Sequence, residues 1–117
     1  MPDAGFPVEV VGGVPVVVTP EEVDIINAPR LRGVLLETAA TRHRMLVVDM
    51  SKTQFCDTAG LHALVSAYKR AQAEGGEFRL VIAAPTVRRI LAITGLDTVI
   101  PQFGSREEAL TAASPGT

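Results

Sequence analysis

A chain of 117 residues that is 47% hydrophobic and 21% charged is long enough for one domain with its own core and too apolar to stay disordered. Its net charge of −2, its scattered Lys and Arg, and its four Phe, one Tyr and no Trp lack the basic footprint and the stacking surface that nucleic-acid binding needs. No apolar run approaches the ~18 residues of a membrane span, the start "MPDAGFP" has no basic stretch of a signal peptide, and one cysteine forms no internal disulfide, so a cytoplasmic setting is expected.

The segment "VEVVGGVPVVV" (Val8 to Val18) is two valine-rich runs around Gly12-Gly13, which predicts two strands joined by a tight hairpin turn. Pro15 places the second run at an edge or just after the turn. In "TPEEVDIINAPRLRGVLLETAA", Leu31, Val34, Leu35 and Thr38 step at three and four, a helix with Pro29 in its first turn and Asn27 as its cap. The basic "RHR" that follows reads as a loop, and "RMLVVDM" (Arg44 to Met50) as a central strand buried on both faces.

"FCDTAGL" (Phe55 to Leu61) then turns from strand to helix. Leu61, Leu64, Val65, Tyr68 and Ala71 form the clearest helical stripe, and Gly75-Gly76 ends it. "EFRLVIA" is a strand, "APTVRRILAITG" a helix from Pro85 to Gly95, and "DTVIPQF" a short last strand. "SREEALTAA" makes a final helix with Ser105 and Glu108 as a capping box, and "SPGT" a loose tail. Strands alternating with helices argue for an α/β sandwich with a mixed sheet whose central strands are partly parallel, in one domain over residues 1–117.

Two enzyme-like readings of "FCDTAGL" fail. A cysteine phosphatase needs an arginine six residues after its nucleophile, where Cys56 has His62, and needs a glycine-rich loop between them. An aspartic protease carries Asp-Thr-Gly in a β-rich fold, whereas Asp57-Thr58-Ala59-Gly60 runs straight into a helix. His43 and His62 are the only histidines, with no metal-ligand spacing, and no phosphate-cradling loop is present, so neither metal nor cofactor is expected. What remains is the Thr58 hydroxyl. Asp57 or Thr58 can cap the helix, and a helix start also tolerates a phosphate on Thr58. Local physics leaves both readings open.

These segments, from about Val8 to Ala112 and in matching order, resemble the STAS-domain family, in particular its bacterial anti-sigma factor antagonists. "FCDTAGL" is similar to the family's Asp-Ser-x-Gly-Leu phosphorylation segment, and "EEVDIINAPRLR" to its Gly-Glu-Leu-Asp-x-x-x-Ala stretch; "AEGGEFRLV" and "LAITGLDTVI" match as well. The resemblance implies a sandwich of about four to five strands and about four helices. It sets Asp24 on the early Asp, Asp57 before the phosphoacceptor, Thr58 on the acceptor serine and Gly60 on the glycine after it. Gly60 then lets the helix start approach a partner or meets a steric need of the turn. His62 and Lys69, off the buried stripe, are candidate partner contacts.

By the same resemblance the protein is not an enzyme. Unphosphorylated, it binds an anti-sigma factor with serine/threonine kinase activity and frees a sigma factor; phosphorylation at Thr58 releases it, and a phosphatase resets it. Family members act as monomers or weak dimers. Two departures stand out: the acceptor is Thr, and Glu21 stands where the family usually has Gly. They motivate a second reading, an unphosphorylated STAS scaffold or ligand-sensing module in a signalling complex.

Overall fold

The two positive-φ glycines Gly12 (57°) and Gly13 (83°) close a two-residue turn between β1 (Val8–Val11) and β2 (Val14–Val18). This is the type I′ geometry that matches strand twist. A computed structural model describes residues 6–40 and 44–113; His43, the rest of the basic loop before Arg44, and the "SPGT" tail lie outside them. Pro15 is buried in an inner strand, not at an edge. It is tolerated because β2 pairs with the next strand only from Val16 onward, so no ladder bond needs its missing N–H.

The main sheet runs β1-β2-β4-β6-β7, with β4 (Met45–Met50), β6 (Glu77–Ile82) and β7 (Gln102–Phe103) all parallel to β2. Helices α1 (Ala28–Ala39), α2 (Thr58–Ala73) and α3 (Pro85–Thr94) cover one face. There Val17, Val48, Leu80 and Ile82 pack with Leu31, Leu35, Leu64 and Leu91. The short α4 (Arg106–Thr111) covers the other face over Val16, Val47 and Val81. This mixed five-stranded sheet with four helices agrees with the α/β sandwich expected from the sequence. Because both faces of β4 are covered, its last five residues are all buried, as the continuous apolar run predicted.

Helix ends follow local chemistry. The Gly76 N–H reaches the Ala71 carbonyl (2.8 Å) and the Gly75 N–H the Gln72 carbonyl (3.0 Å), a Schellman stop made possible by Gly75 at φ 80°. At α4 the Ser105 hydroxyl accepts from the Glu108 N–H at 3.1 Å. Glu108 reaches back one residue further than a capping box requires, to the Gly104 N–H. The α2 stripe is rotated slightly from the expected one: Ala63 and Ala67 join Leu61, Leu64 and Ala71 in the core, while Val65 and Tyr68 are half-buried.

Two elements have no counterpart in the sequence reading. Glu22–Val23 and Phe55–Cys56 form a parallel pair, β3 and β5, with Glu22 opposite Phe55 and Val23 opposite Cys56. Their approaches are joined by two buried hydroxyls. The Thr53 Oγ1 donates to the Pro20 carbonyl (2.6 Å), so the proton between Thr19 and Thr53 (2.6 Å) belongs to Thr19. The Gln54 N–H then reaches the Glu21 carbonyl at 2.7 Å. This miniature sheet carries the start of α2.

Candidate functional site

Asp57 follows β5 with extended backbone (φ −92°, ψ −174°) and caps α2: its Oδ1 accepts from the Gly60 N–H at 3.1 Å. Thr58 is therefore the first helical residue and not the cap. Its side chain is exposed, and among the described residues its hydroxyl has no hydrogen-bond partner. Cap and candidate phosphoacceptor, interchangeable in the sequence, are two different residues in the fold.

The second oxygen of Asp57 reaches sideways. Its Oδ2 accepts from the Ile25 N–H at 3.0 Å, fastening the loop between β3 and α1 to the start of α2. That loop is closed from within. Asp24 Oδ1 accepts from the N–H groups of Ile26 (2.9 Å) and Asn27 (3.3 Å), and Asn27 Oδ1 accepts from the Asp24 N–H (2.9 Å). Asn27 Nδ2 donates to the Glu22 carbonyl. Asn27 stands at the N-cap position of α1 but makes no side-chain cap bond, because its amide is occupied in closing this loop. The expected cap is thus corrected to a loop clamp.

The loop leaves Ile25 and Ile26 with 73% and 86% of their surface in water. Sequence reasoning passed over both; the signal was an Ile-Ile pair lying ahead of the α1 stripe and outside its period. Ile25, Pro29 and Arg32 face Ala59, His62 and Ala63 across a shallow cleft between α1 and α2. The structure therefore groups Asp24, Asp57, Thr58 and His62 at one end of the α1–α2 pair. Lys69 is exposed but lies 11 residues along α2 from Thr58, about 16 Å by helical rise.

Gly60 is buried beneath this surface. A Cβ there would lie 2.7 Å from Cys56 Sγ and 2.8 Å from Val23 Cγ1, so its missing side chain is what lets α2 sit on the β3–β5 pair. The steric need is internal to the fold. Cys56 is itself fully buried, and burial, with the Asp57 carboxylate beside it, pushes its thiol up to about 12. A thiol so rarely ionised is no nucleophile. Among the described residues no group of three potential metal ligands occurs, and no helix is long and apolar enough to cross a membrane.

The site is thus an exposed hydroxyl at the first residue of a 16-residue helix, with the cap supplied by the preceding Asp. Residues 6–109 match the STAS domain family. The chain belongs to that family. It is 29% identical over 104 residues to the anti-sigma-F factor antagonist RsfB of Mycobacterium tuberculosis, a match spanning 89% of this chain and 84% of RsfB. The crystal structure of an anti-sigma factor antagonist from Mycobacterium paratuberculosis superposes with a TM-score of 0.84 at 34% identity, covering 92% of this chain and 91% of that one. The fold is also that of SpoIIAA, whose unphosphorylated form gives a TM-score of 0.77 at 20% identity over 91% of this STAS chain and 93% of SpoIIAA. SpoIIAA has been solved in a phosphorylated form too.

Proposed function

We propose that this STAS protein is an anti-sigma factor antagonist of a partner-switching pathway, binding an anti-sigma factor kinase when unmodified and released by phosphorylation of Thr58. The observation that carries the reading is the separation of roles at α2: Asp57 caps the helix, and Thr58 presents an uncommitted hydroxyl beside it. The names borne by RsfB and the M. paratuberculosis protein, and the two forms of SpoIIAA, support it.

The chemistry is a transfer of the ATP γ-phosphoryl group to Thr58 Oγ1, with the hydroxyl proton lost to a base of the kinase. A phosphatase reverses it by hydrolysis. In the free protein the phosphate sits where the first-turn N–H groups and the helix dipole favour an anion by about 0.3–1 kcal/mol. That offsets only part of its repulsion from Asp57, which is about 1 kcal/mol per unit charge pair at 4 Å in water. Against a docked partner the repulsion grows. At the effective dielectric of a partly buried site the same pair repels by about 4 kcal/mol, and the phosphate's ~1.5–2 charges must also lose water. A net change of ~3 kcal/mol weakens binding more than a hundredfold. Asp24 and His62 flank this surface, and Gly60 serves it from below by fixing the height of α2. On this reading the protein is a regulator and not an enzyme, and a resetting phosphatase completes the cycle.

The test is incubation with the cognate kinase and ATP followed by mapping of phosphate by mass spectrometry. Label is expected on Thr58 and absent from Thr58→Ala. Unlabelled wild type overturns the reading in favour of an unmodified scaffold, and equal labelling of the variant overturns Thr58 as the acceptor.

A further inference from the structure

We propose that Asp57 links Thr58 to the Ile25–Ile26 tip, so that a phosphate on Thr58 loosens the apolar part of the binding surface as well as adding charge to it. This deepens the phospho-switch reading and rests on it.

Both oxygens of the Asp57 carboxylate are engaged, one by the Gly60 N–H within α2 and the other by the Ile25 N–H across the gap. The remaining bonds of the tip are local. Asp24, Asn27, Glu22 and Ala28 bond among themselves, and none of these bonds reaches α2. Among the described residues, the Asp57 Oδ2 contact is thus the one hydrogen bond tying residues 24–27 to the start of that helix. The tip it holds carries the two isoleucines that stand 73% and 86% in water. Ile25 also lines the cleft with Ala59 and His62, and Ala59 directly follows Thr58 in α2.

A phosphoryl group on Thr58 Oγ1 adds a second anion one residue from this carboxylate. It competes with Asp57 for the first-turn N–H groups, including that of Gly60, and repels its charge. Asp57 cannot shift in response without leaving either Gly60 or Ile25. The Ile25 bond is the one to yield, because it is solvent-exposed and the neighbouring backbone bond, from the Asp57 N–H to the Val23 carbonyl (3.0 Å), holds only the strand before residues 24–27, whereas Gly60 is wedged against Cys56 and Val23. The surface then loses order where its partner, a protein face with an apolar recess beside the phosphoacceptor, requires it.

Amide hydrogen exchange on the full chain tests the link. Three proteins are compared with wild type: Asp57→Asn, Thr58→Glu, and a chain bearing phosphothreonine at position 58, made without any kinase by ligation at Cys56 and refolding. Asn keeps an oxygen for the Gly60 N–H but places a donor where Oδ2 accepted from Ile25. The Ile25 amide is expected to exchange at least tenfold faster in Asp57→Asn and in the phosphorylated chain, and to move the same way in Thr58→Glu. The amides of Gly60 and Ala67 should stay within about twofold, separating release of the tip from loss of the helix. An Ile25 amide as protected in the phosphorylated chain as in wild type overturns the link, even if the kinase labels Thr58. Conversely, if no kinase labels Thr58 the switch reading falls, and the Asp57→Asn arm still decides whether Asp57 holds the tip.

Discussion

Gly60 and Cys56 meet so closely that a single added carbon on Gly60 would stand 2.7 Å from the Cys56 sulfur and 2.8 Å from Val23. Replacing glycine with alanine in a helix ordinarily helps by up to about 1 kcal/mol. Here the overlap dominates, and Gly60→Ala is expected to destabilise the protein by about 1–3 kcal/mol in urea unfolding. Adding Cys56→Ala should recover part of the loss and not all, because Val23 still obstructs. A Gly60→Ala protein as stable as wild type would show that α2 does not rest on the β3–β5 pair as described.

Thr58 and Asp57 should part company in stability measurements. Thr58→Ala removes a side chain with no bonding partner and should change unfolding free energy by less than about 0.5 kcal/mol. Asp57→Ala removes the α2 cap and should cost about 1 kcal/mol, within the 0.5–2 range of such losses. The reverse order would mean that Thr58 caps the helix.

On the opposite face of the sheet, Arg106 holds Asp49 through two bonds to one oxygen, Nη2 at 2.8 Å and Nε at 3.1 Å. Burial pushes the Asp49 carboxyl up, but hydrogen bonds from Ser51 and the Arg106 guanidinium outweigh it and leave the group below its ordinary value. A folded-state value below the unfolded one contributes stability above the ordinary carboxyl range, lost as pH falls through the folded value. Arg106→Gln is expected to cost about 1–2 kcal/mol at neutral pH, the figure being held down by the solvent around Arg106. The gap from wild type should be constant between about pH 5 and pH 8 and should shrink below about pH 4. A gap that widens in acid contradicts this assignment.

Cys56 should resist chemistry in the folded chain. With its thiol at about 12 and no exposed surface, alkylation by iodoacetamide at pH 8 should be negligible over a period that labels the denatured protein fully. Rapid labelling of native protein would reopen a nucleophilic role.

The sequence displayed the long elements well because each buries a periodic or continuous apolar face: Leu31 and Leu35, Leu61 and Leu64, and the run through Val47 and Val48 are all core residues. The platform of the site was hidden for a physical reason. β3 and β5 are two residues each, too short for any period, and they are brought together by hydroxyls 34 positions apart at Thr19 and Thr53. Asn27 was misread because local capping preference lost to closure of a loop. Asp57 and Thr58 have similar local claims to the cap, and only the extended backbone at Asp57 decides between them. The candidate phosphoacceptor itself was legible only through resemblance of a whole segment.

The β3–β5 pair joins stretches of chain 33 positions apart, and the Asp57–Ile25 bond crosses 32. A peptide of residues 55–61 contains Thr58 but neither the isoleucine tip nor the miniature sheet beneath it. An enzyme that recognises Thr58 together with that tip therefore reads tertiary structure. For such an enzyme a nascent or misfolded copy of the protein, though it carries the same seven letters, would not be a substrate.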